Sequence, residues 1–371
     1  MSEFIVSARK YRPQTFDTVV GQNNITSTLK NAIKNDHLAQ AFLFCGSRGV
    51  GKTTSARILA KTINCQNRTE NVEACDHCDS CISFNTGNSL NVYELDAASN
   101  NSVDDIRMIV DQVRIPPQLG THKIFIIDEV HMLSQSAFNA FLKTLEEPPK
   151  HAIFILATTE KHKIIPTILS RCQIFDFSRI KVSDIADHLS SIATKEGISA
   201  DAEALYTIAS KAEGALRDAL SMFDQIVTFA GNNLTRDIVN QNLNILDYDY
   251  YFKIVEAAQN EDISSSLLLL NDIVDKGFDL HHFIIGLSEH YRNLLVCKDM
   301  KTLSLLEVVD SVADQYSDQS KSLPSTTILR SLMVLNKADL DFKSSKNQRL
   351  LTELALMQLC SLNQEHEKKN S

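Results

Sequence analysis

A chain of 371 residues is longer than one hydrophobic core usually serves, so two or three domains are expected. Its 43% hydrophobic content suits a soluble globular protein, and no apolar run approaches the roughly 18 residues that span a bilayer. With 37 Lys and Arg against 46 Asp and Glu, the net charge of -9 repels nucleic acid, so any DNA contact has to come from a local surface.

The start, Met1-Ser2-Glu3-Phe4, lacks the basic head and long apolar stretch of a secretory signal, which makes the cytoplasm the expected location. From Ala41 to Phe177, short β-rich runs alternate with helical patterns: AFLFC (41–45), NVYELD (91–96), KIFIID (123–128), AIFILATT (152–159) and CQIFDF (172–177). Runs that are apolar at every position predict strands buried on both faces, as in a parallel sheet covered by helices. Phe138, Phe141, Leu142 and Leu145 recur at helical spacing between them, and Pro148-Pro149 stops that helix. The fold class is therefore α/β.

After Arg179 the strand signal disappears. Ile185, Leu189 and Ile192 form one helical stripe ending near Gly197, Leu205, Ile208 and Ala209 form a second, and Gly214 opens the next element. From Tyr248 onward the chain reads as further helices, with a polar loop expected between Asp310 and Pro324 and a frayed, charged tail from Glu365 to Ser371. These shifts divide the chain into an α/β core over 1–179, a small helical domain over 180–246, a second all-helical domain over 247–365 and a tail over 366–371.

Gly46-Ser47-Arg48-Gly49-Val50-Gly51-Lys52-Thr53 matches G-x-x-x-x-G-K-[ST], after a strand and before a helical run that starts at Thr54. The glycines let backbone N–H groups turn inward around phosphate oxygens, and the helix N-terminus adds partial positive charge. Lys52 reaches the outer phosphates in this reading, and the Thr53 hydroxyl holds Mg2+. Asp128 and Glu129 follow a buried strand, at the edge where α/β folds bind ligands; Asp128 then meets Mg2+ and Glu129 polarises the attacking water. Thr158 ends the next strand. It holds that water or senses the γ-phosphate from beside Glu129, or else is an ordinary strand-end residue.

Of eight cysteines, Cys45, Cys172, Cys297 and Cys360 are scattered among apolar neighbours and read as small core residues. Cys65, Cys75, Cys78 and Cys81 are crowded into C-x9-C-x2-C-x2-C. Four thiolates with no open position describe a tetrahedral structural Zn2+ site. An iron–sulfur cluster is the rival, although the C-x3-C-P that follows in ferredoxins is absent. His77 lies inside the knuckle but is not needed to fill a tetrahedron. Arg171, in ILSRCQIF, has no acidic residue within several positions and taken alone reads as an unpartnered, solvated turn residue.

The constellation resembles the γ/τ subunit family of bacterial DNA polymerase III, the ATPase of the sliding-clamp loader. The motifs that carry the resemblance are ARKYRPQTFDTVVGQ (8–22), the phosphate loop, the four-cysteine insert, LDAASNNSVDDIR (95–107), DEVHMLS, FNAFLKTLEEPP, LATT, ILSRC and GALRDALS, in family order over most of residues 7–225. It implies an AAA+ core, a helical lid and a collar that builds a ring. It also implies that Arg171 is the arginine finger given to the neighbouring subunit's ATP, that Arg217 is the lid's phosphate sensor, and that Arg9, Tyr11, Arg12, Val20 and Gly21 border the adenine. The implied partners are δ and δ′ type subunits, further γ/τ copies, the β sliding clamp and primer–template DNA. Asn100-Asn101-Ser102 stand where family members often carry basic residues, which leaves only backbone N–H groups and the helix dipole to receive a DNA phosphate there. The end at Ser371, without the long extension of τ forms, gives the expectation of a γ-like core. Another AAA+ DNA-remodelling motor and a non-catalytic ATP-binding scaffold are the competing functions; the zinc insert and SRC disfavour the first, and the Lys52, Thr53, Asp128, Glu129 set disfavours the second.

Overall fold

The computed structural model describes residues 5–118, 120–243, 246–306, 308 and 310–362. The expected tail from Glu365 to Ser371 lies outside them. The chain divides into two compact units, Met1–Leu234 and Thr235–Ser371.

The first unit is built on a five-stranded parallel sheet of β1 (Ala41–Cys45), β2 (Val92–Asp96), β3 (Lys123–Asp128), β4 (Ala152–Thr158) and β5 (Gln173–Asp176), in the order β2-β3-β4-β1-β5. Successive side chains on a strand point to opposite faces, and here both faces are cores. Leu43, Phe125, Ile127, Phe154 and Leu156 enter one cluster with Phe138, Phe141 and Leu145 of the helix Gln135–Glu146. Phe42, Phe44, Ile124, Ile126, Ile153 and Ile155 enter the other, with Ile58, Leu59 and Ile63 of the helix Lys52–Ile63. That double burial holds for β1, β3 and β4 and is the physical origin of their apolar runs, whereas the edge strands β2 and β5, expected to be buried on both faces, are partly exposed because each has a neighbour on one side only.

Residues 182–230 fold as the helices Val182–Glu196, Ala202–Lys211 and Leu216–Ala230, whose inward stripe includes Ile185, Leu189, Ile192, Leu205, Ile208, Ala209 and Phe223. Gly197 caps the first of these at φ 69, a left-handed position that costs glycine nothing. A two-residue parallel pair, Ser199–Ala200 with Asn233–Leu234, is too short to leave a sequence period.

The second unit is helical throughout its described residues, around a core that includes Ile273, Phe283, Leu287, Tyr291, Tyr316, Ile328 and Leu335. The loop expected between Asp310 and Pro324 is a helix over Asp310–Ser322. Its inward stripe is narrow, with Val312, Tyr316 and Ser320 buried at every fourth position, so the sequence reads as polar although the segment packs. No described helix is long and apolar enough to cross a membrane.

Candidate functional site

β3, β4 and β1 lie side by side, so the residues at their C-terminal ends converge. After β1 the chain turns at Gly46, Gly49 and Gly51, all at positive φ (147, 78 and 104), before the helix Lys52–Ile63 begins. A Cβ on Gly46 would stand 2.5 Å from the carbonyl oxygen of Phe177, so no side chain fits there. Lys52 is buried, and its Nζ donates to the carbonyl oxygens of Gly46 at 2.9 Å and Ser47 at 2.8 Å, inside the loop it belongs to. Burial holds its pKa below the ordinary lysine value, against the pull of Glu129 and Asp128.

Thr53 and Asp128 meet directly: the Thr53 hydroxyl donates to Asp128 Oδ2 at 2.6 Å, while Asp128 Oδ1 accepts the Glu129 N–H at 2.9 Å. Two adjacent oxygen donors of this kind suit a hard divalent cation such as Mg2+. Glu129 sits at φ 47, a conformation uncommon for a side-chain-bearing residue, and its Oε2 accepts from the N–H and the hydroxyl of Thr159 at 3.1 and 3.0 Å. The Thr158 hydroxyl is turned elsewhere, 3.0 Å from His131 Nδ1, and accepts the Glu160 N–H at 3.0 Å. His131 Nε2 in turn lies 3.0 Å from Glu160 Oε2. Thr159, His131 and Glu160 were not singled out by sequence; the repeated threonine of LATT and the DEVH run were the only signals available.

Around the loop, Arg12 Nε donates to the Thr54 hydroxyl at 3.2 Å. The Tyr11 hydroxyl bonds to Glu196 at the end of the helix Val182–Glu196, and the Arg9 side chain is exposed. Val20 is half-buried beside Gly21, where a Cβ would come within 2.8 Å of Ile180. Ser47, Arg48 and Arg217 are exposed, and Val50 is buried. A Cβ on Gly49 would lie 3.4 Å from Arg217 Cβ, which puts Arg217 over the loop, and its guanidinium makes no hydrogen bond or ion pair among the described residues. Ser47, Arg48, Arg179, Lys211 and Asp218 line a cleft of about 280 Å3 on that side.

Arg171 is not unpartnered. Its Nη2 donates to Glu146 Oε1 at 2.8 Å and its Nη1 to the Thr167 carbonyl oxygen at 2.8 Å. Glu146 lies 25 residues upstream, which is why the neighbourhood of ILSRC in sequence holds no carboxylate. The helix start at Ser102 is also engaged. Its N–H donates to Asp105 Oδ2 at 3.1 Å and its hydroxyl accepts the Asp105 N–H at 3.2 Å, a closed capping box with Asp104 and Asp105 in the first turn. Those carboxylates already occupy the positive end of the helix, so the residual phosphate contact expected there is disfavoured.

Cys65, Cys75, Cys78 and Cys81 bring their sulfurs within 4.8 Å of one another. The Cys75 N–H points at Cys65 Sγ (3.2 Å) and the Cys78 N–H at Cys75 Sγ (3.4 Å), the supporting hydrogen bonds that a thiolate-held metal requires. Burial raises the Cys75 pKa, but the N–H groups of His77 and Cys78 outweigh it and leave the thiol at about 6. The set fits a four-thiolate metal site. His77 is exposed and is not one of the four. Of the scattered cysteines, Cys45 and Cys360 are buried, whereas Cys172 and Cys297 are only half-buried.

A Gly-rich loop that closes β1, an acid pair at the end of β3 with β4 between the two strands, and a helical segment over the loop are the arrangement of a P-loop nucleotide-binding core of the AAA+ type. Three family models match in sequence along the chain: "DNA polymerase III, delta subunit" over residues 21–181, "DNA polymerase III clamp loader subunit, ATPase lid domain" over 184–232, and "DNA polymerase III subunits gamma and tau domain III" over 234–371. The chain is 40% identical to the DNA polymerase III subunit tau of Bacillus subtilis over 95% of its own length and 62% of that protein's. It is 35% identical to the subunit gamma of Buchnera aphidicola subsp. Baizongia pistaciae, over 96% of this chain and 97% of that one. The chain belongs to the DNA polymerase III γ/τ subunit family. Among solved structures, the Thermotoga maritima RuvB Holliday junction branch migration motor aligns with TM-score 0.48 and 19% identity over 67% of this chain and 78% of that one.

Proposed function

We propose that the chain is the ATP-hydrolysing subunit of a replicative clamp loader, using ATP to open a sliding clamp and hydrolysis to release it on primed DNA. The observation that carries this reading is the meeting of Thr53 and Asp128 at 2.6 Å beside the Lys52 loop, with Glu129 on the same strand end, in a member of this family. Lys52 leaves the loop carbonyls and turns to the β- and γ-phosphates. The loop's N–H groups and the helix Lys52–Ile63 hold the phosphate chain. Thr53 and Asp128 would hold Mg2+, which would supply positive charge against the charge of the phosphate chain. Glu129 accepts the proton of the attacking water, and Thr159 orients it. Thr158, through His131, fixes the strand end behind them.

Arg217 closes over the phosphates from the lid, and Arg12, Val20 and Gly21 border the base, with Arg9 and Tyr11 further out. Arg171 acts on the ATP of a neighbouring subunit. Cys65, Cys75, Cys78 and Cys81 hold a structural Zn2+. The functional division is a core over 1–179, a lid over 180–246 and a ring-forming collar over 247–365. The partners are δ and δ′ type subunits, further copies of γ/τ, the β clamp and primer–template DNA, and the setting is the cytoplasm. Clamp loading onto primed DNA by the reconstituted complex tests this: the wild-type chain supports it with ATP, and loading that proceeds equally without this chain or without ATP contradicts it.

A further inference from the structure

Two carboxylates of the cysteine insert are used outside it, on the segments that wall the phosphate loop. Glu73, between Cys65 and Cys75, is only 7% exposed. Its Oε2 accepts the N–H of Phe16 at 3.0 Å, its Oε1 accepts that of Asp17 at 3.1 Å, and Lys30 Nζ lies 2.8 Å from Oε1. Phe16 opens a single turn, Phe16–Thr18, that delivers Val19 to the loop: a Cβ on Gly51 would stand 3.7 Å from Val19 Cγ1. Phe16, Val19 and Val50 share one buried cluster, and Gln22 Nε2 donates to the Val50 carbonyl at 3.3 Å.

The second tie runs to the helix Lys52–Ile63. Lys61, near its far end, has a side chain 2% exposed, and its Nζ lies 2.6 Å from Asp76 Oδ1 inside the Cys75–Cys78 knuckle. A buried ammonium is tolerated only beside such a partner, so the helix end and the knuckle depend on each other.

We propose that the cysteine insert braces the nucleotide pocket, with Glu73 as the positioning residue that fixes the Phe16–Val19 wall against the phosphate loop. The proposal rests on the reading of that loop as the ATP site. A carboxylate that collects two N–H groups and an ammonium from outside the insert is in place only when the insert is folded, and a four-thiolate insert of this size folds around its metal. Metal retention and nucleotide binding are therefore coupled, and the coupling acts in both directions.

The test uses the full chain, a fluorescent ATP analogue, and the rate at which a chelator extracts zinc with and without ATP. Glu73→Ala should keep its zinc, bind the analogue about tenfold more weakly, and raise KM while leaving kcat in the assembled complex nearly unchanged. Glu73→Gln, which retains an acceptor but loses the charge facing Lys30, should fall between it and wild type. ATP should slow zinc extraction from wild type and have no such effect on Glu73→Ala. Lys52→Ala separates the two claims: if it binds the analogue as wild type does, the ATP site itself is wrong. If Lys52→Ala loses binding while both Glu73 variants bind like wild type and keep the ATP effect on zinc, the brace alone is overturned. Should Glu73→Ala fail to fold, Glu73→Gln decides by the same two readouts.

Discussion

Arg171 is held by Glu146 of its own chain, Nη2 to Oε1 at 2.8 Å, with both side chains substantially exposed (34% and 47%). An exposed pair of this kind is worth at most about 1 kcal/mol, so the guanidinium is held in place but can be given up to a stronger acceptor. A neighbour's phosphate is such an acceptor, and fingers that act across an interface are worth roughly 10^3 to 10^5 in rate in P-loop systems. Arg171→Ala should leave nucleotide affinity of the isolated chain unchanged and collapse DNA-stimulated turnover of the complex. Glu146→Gln, which only frees the arginine, should not lower turnover. Mixing Arg171→Ala chains with Lys52→Ala chains checks the direction of action, because activity should return where an intact site faces an intact finger. Co-assembled mixtures that stay inactive would return Arg171 to a surface turn.

Glu129 has one carboxylate oxygen fixed by both donors of Thr159. Glu129→Gln should bind ATP and lower turnover by roughly 10^2 to 10^4, since only activation of water is lost. Thr159→Val removes the hydroxyl donor and keeps the N–H. Losing one orienting hydrogen bond of about 1 kcal/mol should cost several-fold in kcat with ATP affinity unchanged. Single-turnover kinetics separate the two steps, and a Thr158→Val variant with the larger kcat defect would reassign the orienting role.

Purified protein should carry about one zinc per chain, removed by replacing any of Cys65, Cys75, Cys78 or Cys81 with serine. Iron with visible absorbance in elemental and optical analysis would favour the cluster reading instead.

The helical unit should be acid-labile through one residue. His290 is buried among Tyr251, Phe252 and Tyr316, and its pKa is pushed down by burial to about 4. Gln319 donates to the Phe252 carbonyl, so its Oε1 accepts from His290 Nε2 at 2.9 Å, and Nδ1 has no partner among the described residues. A depressed histidine pKa means that the unfolded chain takes up the proton first. Stability is full above the ordinary value near 6.5 and falls as pH drops toward 4, by up to about 3 kcal/mol. Melting curves should show this loss between pH 6.5 and 4 in wild type and a flatter profile in His290→Gln.

The centre of the sheet was legible because β1, β3 and β4 are buried on both faces, and a near-unbroken apolar run leaves little else to choose; the partly exposed edge strands β2 and β5 carry a weaker signal. The proximity of Thr53 and Asp128 beside the Lys52 loop was legible because the G-x-x-x-x-G-K-[ST] pattern and a strand-end acid mark one edge of an α/β sheet. What depended on the third dimension was not. The Arg171–Glu146 pair joins segments 25 residues apart, Glu73 reaches back 57 residues to Phe16, and Thr159 rather than Thr158 faces Glu129 because adjacent residues at a strand end point opposite ways. The helix Asp310–Ser322 was hidden by composition, since among its described side chains only Val312, Tyr316 and Ser320 are buried and two of these three are polar or part-polar.

The central claim is that Lys52, Thr53, Asp128 and Glu129 form a working ATPase site. Phosphate release by the reconstituted complex, measured with and without primed DNA and clamp, tests it most directly. The wild-type chain should show release that DNA and clamp stimulate, and Lys52→Ala in every copy should abolish both nucleotide binding and the stimulated release. Undiminished, DNA-stimulated release from a complex in which every copy carries Lys52→Ala would contradict the account.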